Sequence, residues 1–572
     1  MQSNTLKTAI HNLTSLSAPG RGRYKIITWL IVVAILLLGC LPCSCWGTAP
    51  AEPGVQEQPT VLRVAYSPDK AGLFAQLVEG FNLQSLQNFK AGDGTLLKIE
   101  PLEMEPEAMI QAALDGEIQA LSPDSSIWLD QLDRAWTEKN KDATSPLGEQ
   151  VRYAVSPVVI AAWEDVALGF GYPEKPVGWE DILRRAQEDK NFRWSHPSTS
   201  SASGLLATLA EFYAGAGKTR GLTLEDVQAA PVTEYVGAIE KTVRFYGEGE
   251  LAVIQRALQE GPAFLDAFIV QEQLVIYFNQ QGTSSRLVAI YPREGTLWVD
   301  HPLALLDTAS LSPVQRQTFR RFREYLLSRE AQMLVLKSGY RPADLSIPLD
   351  APESPITPAN GVNPREPQTT LQVPGPTVME AVRDVWWLTK RHTNVYLVVD
   401  TSGSMAGDKL AQAQRALLTF IGQIKGDSER VGLIRFSSSA EETMPLAELG
   451  GSRERLTGTV NSLQAGGKTA LLDAVYLAYK RLQEWNDRER INAIVVMTDG
   501  KENYSSMSLD ILTARLRQGN AEGVPVVIFC IAYGSDADLQ TLEALAQATG
   551  GQARYGDTET IQNLYKILST YF

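Results

Sequence analysis

Little in this sequence invites a catalytic reading. Histidine is scarce, and His11, His196, His301 and His392 lie far apart; no pair has a metal-ligand spacing such as H-E-x-x-H. No G-x-S-x-G nucleophile turn is present. Cysteine is sparse too. Cys40, Cys43 and Cys45 cluster near the N-terminus and Cys530 stands alone in an apolar run, which excludes a disulfide framework. Cys530 reads as a small buried apolar residue. Positive charge is in deficit. A net charge of −14 excludes nucleic acid and an anionic membrane surface as broad partners. The expectation is a binding protein, not an enzyme.

What is present is ordinary globular material, 44 % hydrophobic and 21 % charged, on a chain of 572 residues. That length is too great for one core, so two to four domains are expected. Residues 1–25 form a basic n-region, with Arg21, Arg23 and Lys25 before an uncharged run over 26–46. Positive charge stays in the cytoplasm, so the chain beyond that run is exported to the extracytoplasmic face. The run is long enough for a signal anchor crossing the cell membrane. Alternatively Ile26–Leu38 is a signal h-region, and Leu37-Leu38-Gly39-Cys40 resembles a bacterial lipobox with Cys40 as the lipidated residue. Residues 47–60 read as a flexible tether.

From Val61 strands and helices alternate through residue 344, which argues for an α/β region with mostly parallel sheets. "VLRVAYS" and "VSPVVIAAW" read as strands, "PDKAGLFAQLVEGFNLQ" as a helix, and "AFLDAFIVQEQLVIYFNQQG" as further strand-like runs. A strand ending in serine at a helix start recurs at Ser67, at Ser122 and Ser125, and within Ser198–Ser203. Each serine reads equally well as a helix cap or as a contact for a polar ligand at the carboxyl ends of the strands. On "LRVAYSPDKAGLFAQLVEGFN", "VGWEDIL", "HPSTSSASGLLATL" and "FREYLLSREAQMLVLKSGYRPA", the segment resembles extracellular solute-binding proteins of the periplasmic-binding type. That resemblance implies two α/β lobes hinged over a cleft for a small solute. By position it places Ser67, Ser125, Ser201 and Glu272 at that cleft. A proline-rich stretch, 345–376, reads as an extended connector, and a helix begins at 377.

"NSLQAGGKTALLDA" contains Gly-Lys-Thr, the end of a phosphate-binding loop. Ser462 stands where that loop requires its first glycine, and Leu456, Val460 and Leu463 recur at a helical interval where it requires a strand. Thr469 therefore has another role. Val395–Val399 is a buried strand ending at Asp400, followed by Ser402 and Ser404 in one loop before a helix. "INAIVVMTDG" is a second such strand ending at Asp499. Oxygen ligands of this kind suit a hard cation, Mg²⁺ above all.

Asp400-x-Ser402-x-Ser404, Thr469 and Asp499 together resemble the metal-ion-dependent adhesion site of the von Willebrand factor A domain. The resemblance covers residues 377–572, with a core at 394–572. It implies a doubly wound, Rossmann-like sheet, and Mg²⁺ held by those five residues with a coordination position left for a carboxylate on a protein or surface ligand. The whole reads as a membrane-attached binding protein. The alternative is a solute receptor feeding a membrane transporter; a third reading, a metal-site subunit assisting an ATPase, conflicts with export away from ATP.

Overall fold

The computed structural model describes residues 61–556 except 89, 91–93, 142–143, 248, 425 and 535. The basic segment, the apolar run with Cys40 and the tether lie outside the described residues. Among the described residues no helix is long and apolar enough to cross a membrane.

Residues 61–342 build two sheets. The first runs in the order Lys98–Glu103, Val61–Tyr66, Ala120–Ser122, Pro302–Leu306, Leu147–Arg152. Its first three strands are parallel, whereas Pro302–Leu306 runs antiparallel to both its neighbours. The second is ordered Trp298–Val299, Ala154–Trp163, Ala267–Gln271, Trp194–Pro197, Tyr246–Gly247, with Leu287–Ile290 also paired to Ala154–Trp163. Both sheets are mixed, where mostly parallel ones were expected. The chain crosses between lobes after residue 152 and returns at residue 302, and the returning strand enters the first sheet in the opposite direction. Ala154–Trp163 is almost wholly buried because it packs on both faces: Val159, Ala161 and Trp163 join one core, and Val158, Ile160 and Ala162 another.

Two sequence expectations change here. "EQLVIYFNQ" is a helix, Glu272–Gln280, not a strand. It is buried around most of its girth, through Leu274, Val275, Ile276 and Phe278, so it lacks the polar face that betrays a surface helix. The proline-rich stretch is bound along the second lobe. Ile347, Ile356, Val362 and Leu371 are buried, and Gly361 O accepts from Ala289 N at 2.8 Å. Four well-spaced apolar anchors hold a segment whose overall composition reads as free. The next helix, Pro376–Thr389, buries Met379, Val382 and Trp386 in the core of that same lobe.

The C-terminal sheet is ordered Ala440–Glu448, Arg430–Phe436, Thr393–Asp400, Ile491–Thr498, Val526–Tyr533, Ala553–Gly556. All pairs are parallel except the first. Val395, Leu397 and Val399 face Leu417 and Phe420 of the Asp408–Gln423 helix. Tyr396 and Val398 face Leu472 and Val475 of Leu471–Trp485 on the other side. This two-residue alternation makes a sheet covered on both faces, and Cys530 is buried within it. The chain winds outward from Thr393–Asp400 in one direction and from Ile491–Thr498 in the other. The crevice at the carboxyl ends of these two neighbours is the topological switch point, where open α/β sheets bind ligands.

Candidate functional site

Asp400 and Asp499 flank that switch point, at the end of one strand and just beyond the other. Both are fully buried. Asp400 Oδ1 accepts from Ser402 N at 2.7 Å and Oδ2 from Thr498 Oγ1 at 2.5 Å. Ser402 Oγ and Ser404 Oγ are 3.0 Å apart, and Ser404 Oγ donates to Asp499 Oδ1 at 2.7 Å. Hydrogen bonds through the Ser402 amide and the two serine hydroxyls thus link the two strands. Burial pushes the Asp400 carboxyl above its usual range; the bonds from Ser402 and Thr498 oppose that shift and the Asp499 charge adds to it.

Thr469 arrives from a separate loop. Gly466 N donates to Thr401 O at 2.8 Å and Gly403 N to Gly467 O at 3.1 Å, which fastens this loop to the one carrying the serines. Gly467 has φ +90°, and a Cβ there would lie 2.8 Å from Ser438 Oγ. Thr469 N donates to Asn503 Oδ1 at 3.1 Å. A cavity of ≈ 500 Å³ is lined by Ser404, Thr469, Asp499, Asn503, Asp536 and Asp538, among others. Asp400 and Ser402 lie outside this lining, joined to it through the hydrogen-bond chain.

Burying two carboxylates this close together costs several kcal/mol per ion unless positive charge compensates. Lys409 Nζ, 2.5 Å from Asp499 Oδ2, supplies one such charge. The donors are carboxylate and hydroxyl oxygens, a set that fits a hard divalent cation. Sequence reasoning missed Lys409 and the roles of Thr498 and Asn503. Lys409 had no visible signal, since a lysine in the first turn of a helix is commonplace.

The second predicted site is only partly assembled. A cavity of ≈ 280 Å³ between the lobes is lined by Ser67, Asp69, Asp124, Ser201, Glu250 and Arg554, among others. Ser67 Oγ accepts from Asp124 N at 2.9 Å, tying two loops together. Ser201 caps its helix, accepting from Gly204 N at 3.1 Å. Ser125 is buried and accepts from Ile127 N at 3.3 Å; it is not in the lining. Glu272 does not face the cleft. Arg341 holds its carboxylate with bonds of 2.6 and 2.8 Å, and Tyr291 donates to it as well.

The cleft is acidic. Burial lifts the Glu250 carboxyl to about 8, with bonds from Gln271 opposing it. Burial also raises Asp69 and Asp124 and lowers the Lys70 ammonium beneath them. Arg554 reaches the lining from the C-terminal sheet. Nearby, Arg256 of the second lobe donates to Gly550 O at 2.8 Å.

Comparison with known proteins agrees with this division. Residues 394–567 match the von Willebrand factor type A domain, and residues 62–341 match the bacterial extracellular solute-binding protein family. The chain is 29 % identical to the pig (Sus scrofa) inter-alpha-trypsin inhibitor heavy chain H4 over 178 residues, covering 30 % of this chain and 19 % of that protein. It therefore spans about a fifth of the length of the curated relatives it matches. Among solved structures, a von Willebrand factor type A protein from Catenulispora acidiphila aligns at 21 % identity and TM-score 0.28, over 32 % of this chain and 43 % of that one. The sulfate-binding protein SubI from Mycobacterium tuberculosis H37Rv aligns at 17 % identity and TM-score 0.36, over 50 % of this chain and 88 % of that one. The chain joins a solute-binding domain to a von Willebrand factor type A domain.

Proposed function

We propose that this protein docks a partner through a divalent cation, Mg²⁺ in the first instance, held by Asp400, Ser402, Ser404, Thr469 and Asp499. Both matched families are of the binding type, and the solute-binding domain implies an extracytoplasmic location. One observation carries the finer reading. Four of the five residues are joined by hydrogen bonds through the Ser402 amide and the two serine hydroxyls, and the fifth borders the same cavity at the switch point of the sheet. A cation bound there supplies an electrophilic coordination position that a carboxylate on a protein or surface ligand fills. Around it, Lys409 balances Asp499 in the absence of other positive charge, and Asn503 holds the backbone of Thr469. The anchor is the apolar run over 26–46, as a membrane span or through lipidated Cys40.

The test uses Mn²⁺ as a paramagnetic stand-in for Mg²⁺ on the full chain, followed by capture of partners from surface extract with and without EDTA. Wild type is expected to bind Mn²⁺ at this site and to lose its partners in EDTA. Equal capture by wild type and Asp499→Ala, with and without EDTA, rejects the reading.

The ≈ 280 Å³ cleft favours a second reading beside it, a receptor that passes a small polar solute to a transporter. Loss of solute uptake in cells carrying Asp124→Ala, with partner capture unchanged, would support that role.

A further inference from the structure

A separate group of ligand atoms lies inside the second lobe, away from both sites above. His196 is on the Trp194–Pro197 strand, Glu211 on the Ala202–Ala216 helix, and Glu240 at the end of the Ala230–Glu240 helix. All three side chains are buried, and one ligand atom from each lies within 4.8 Å of the others. The arrangement of hydrogen atoms is set by their neighbours. His196 Nδ1 is 2.7 Å from Pro197 O. A carbonyl only accepts, so Nδ1 carries a proton, and Nε2 faces Glu240 Oε2 at 3.2 Å. Tyr246 OH accepts from Arg391 N at 2.9 Å and spends its one hydrogen on Glu240 Oε2 at 2.7 Å. Glu240 Oε1 and both oxygens of Glu211 have no hydrogen-bond partner. Among the described residues neither glutamate is ion-paired with lysine or arginine. Two carboxylates and a ring nitrogen thus face one another in a buried interior.

We infer that His196, Glu211 and Glu240 form a buried structural site for a divalent transition-metal ion, with Zn²⁺ the best match. One imidazole nitrogen and two carboxylates are an N/O set suited to zinc, and a dication balances their two charges. The Nδ1–H bond to a backbone carbonyl is the outer contact that fixes the tautomer of a ligating histidine. Tetrahedral metal–ligand bonds of about 2.0–2.1 Å place neighbouring ligand atoms roughly 3.3–3.4 Å apart, close to the 3.2 Å seen between Nε2 and Oε2. The competing arrangement is a shared proton. Burial, with the Glu240 charge beside it, does raise Glu211 well above the usual carboxylate range. A single proton between the glutamates, however, leaves an oxygen of Glu211 unmatched. One dication engages an atom of each residue and balances both carboxylates.

The location gives the site a structural task. It clamps a strand to two helices, and through Glu240 and Tyr246 it reaches Arg391. That arginine bonds Val243 O of the second lobe at 2.9 Å and Arg488 O of the C-terminal domain at 2.8 Å.

The test uses the full chain carrying Asp499→Ala, so that the adhesion-type site does not contribute. The protein is refolded with Zn²⁺, dialysed against EDTA, and its metal content measured by plasma mass spectrometry. About one zinc per chain is expected to remain, with little left after Glu211→Gln or His196→Gln. A zinc-dependent rise in Tm is expected for the parent and not for Glu211→Gln. If the cluster only shares protons, Glu211→Gln removes the cost of taking up a proton on folding and raises Tm with or without zinc. Absence of bound zinc in the parent, or its retention by Glu211→Gln, overturns the inference.

Discussion

Ser404 and Ser201 occupy equivalent places in two parts of this molecule, each in the turn between a strand and a helix. Ser404 gives its hydrogen to a carboxylate, Asp499. Ser201 receives one from a backbone amide, Gly204 N. The first hydroxyl belongs to a side-chain network and the second completes a helix end. The surroundings differ accordingly. Burial raises the carboxyls of both Asp400 and Glu250, but Asp499 beside Asp400 has Lys409 as counter-charge, whereas Glu250 is pushed up to about 8. The same local pattern of strand, serine and helix therefore joins a side-chain network or completes a helix end according to what the hydroxyl's partner is. Sequence displays the hydroxyl and conceals the partner.

Removing a carboxylate from each region breaks the comparison most sharply. Asp499→Ala should weaken Mn²⁺ binding by more than about 100-fold, because even residues outside the coordination sphere commonly cost 10- to 100-fold. The measurement is a Mn²⁺ titration followed by electron paramagnetic resonance, with the signal at this site as the readout. Glu250→Gln should leave that titration unchanged and act on stability. Glu250 has its folded-state pKa raised to about 8, so between its ordinary value and 8 the folded chain holds a proton that the unfolded chain has released. Its contribution is thus present at low pH and falls as pH rises through that window, by up to about 1.4 kcal/mol per pH unit. Denaturant unfolding at pH 6 and pH 8 should show the loss in wild type. Glu250→Gln should flatten it.

Legibility followed the same division. The C-terminal sheet was readable because Val395–Val399 and Ala493–Met497 are continuous apolar runs with acids just beyond them, and strands buried on two faces must look that way. The nearness of Asp400, Ser402, Ser404 and Asp499 followed from their loops, since parallel strands put such loops at one edge; Thr469, between two helices, was grouped with them only by the resemblance to the von Willebrand factor A domain. Glu272 was misplaced because its helix is apolar on nearly every side and passed for a strand, which hid its pairing with Arg341. The binding of 345–376 was hidden by composition: four anchoring side chains scarcely alter the average of a proline-rich segment. Arg554 in the cleft results from packing between distant parts of the chain, which no local pattern encodes.

The two serines sharpen the comparison at a smaller scale. Ser201→Ala should cost about 1 kcal/mol of stability, as loss of an N-cap does, and leave Mn²⁺ affinity unaltered. Ser404→Ala should weaken Mn²⁺ binding with a smaller effect on Tm. Thermal unfolding and metal titration on both variants give the four values needed, and equal behaviour of the two would erase the distinction.

The smallest effect expected comes from Lys409. Its ammonium contacts Asp499 Oδ2 at 2.5 Å, and its side chain is about one-third exposed (34 %). A cation entering the site has to share Asp499 with this tethered charge. Partly exposed ion pairs are worth roughly 0.2–1 kcal/mol, so removing the competitor should tighten Mn²⁺ binding only a few-fold. Lys409→Met keeps the length of the side chain and removes the charge, which separates competition from packing. The gain should shrink as salt screens the pair in wild type, and a titration at low and high ionic strength reads this directly. Weaker binding by Lys409→Met would mean that the ammonium steadies Asp499 for the metal and does not compete with it.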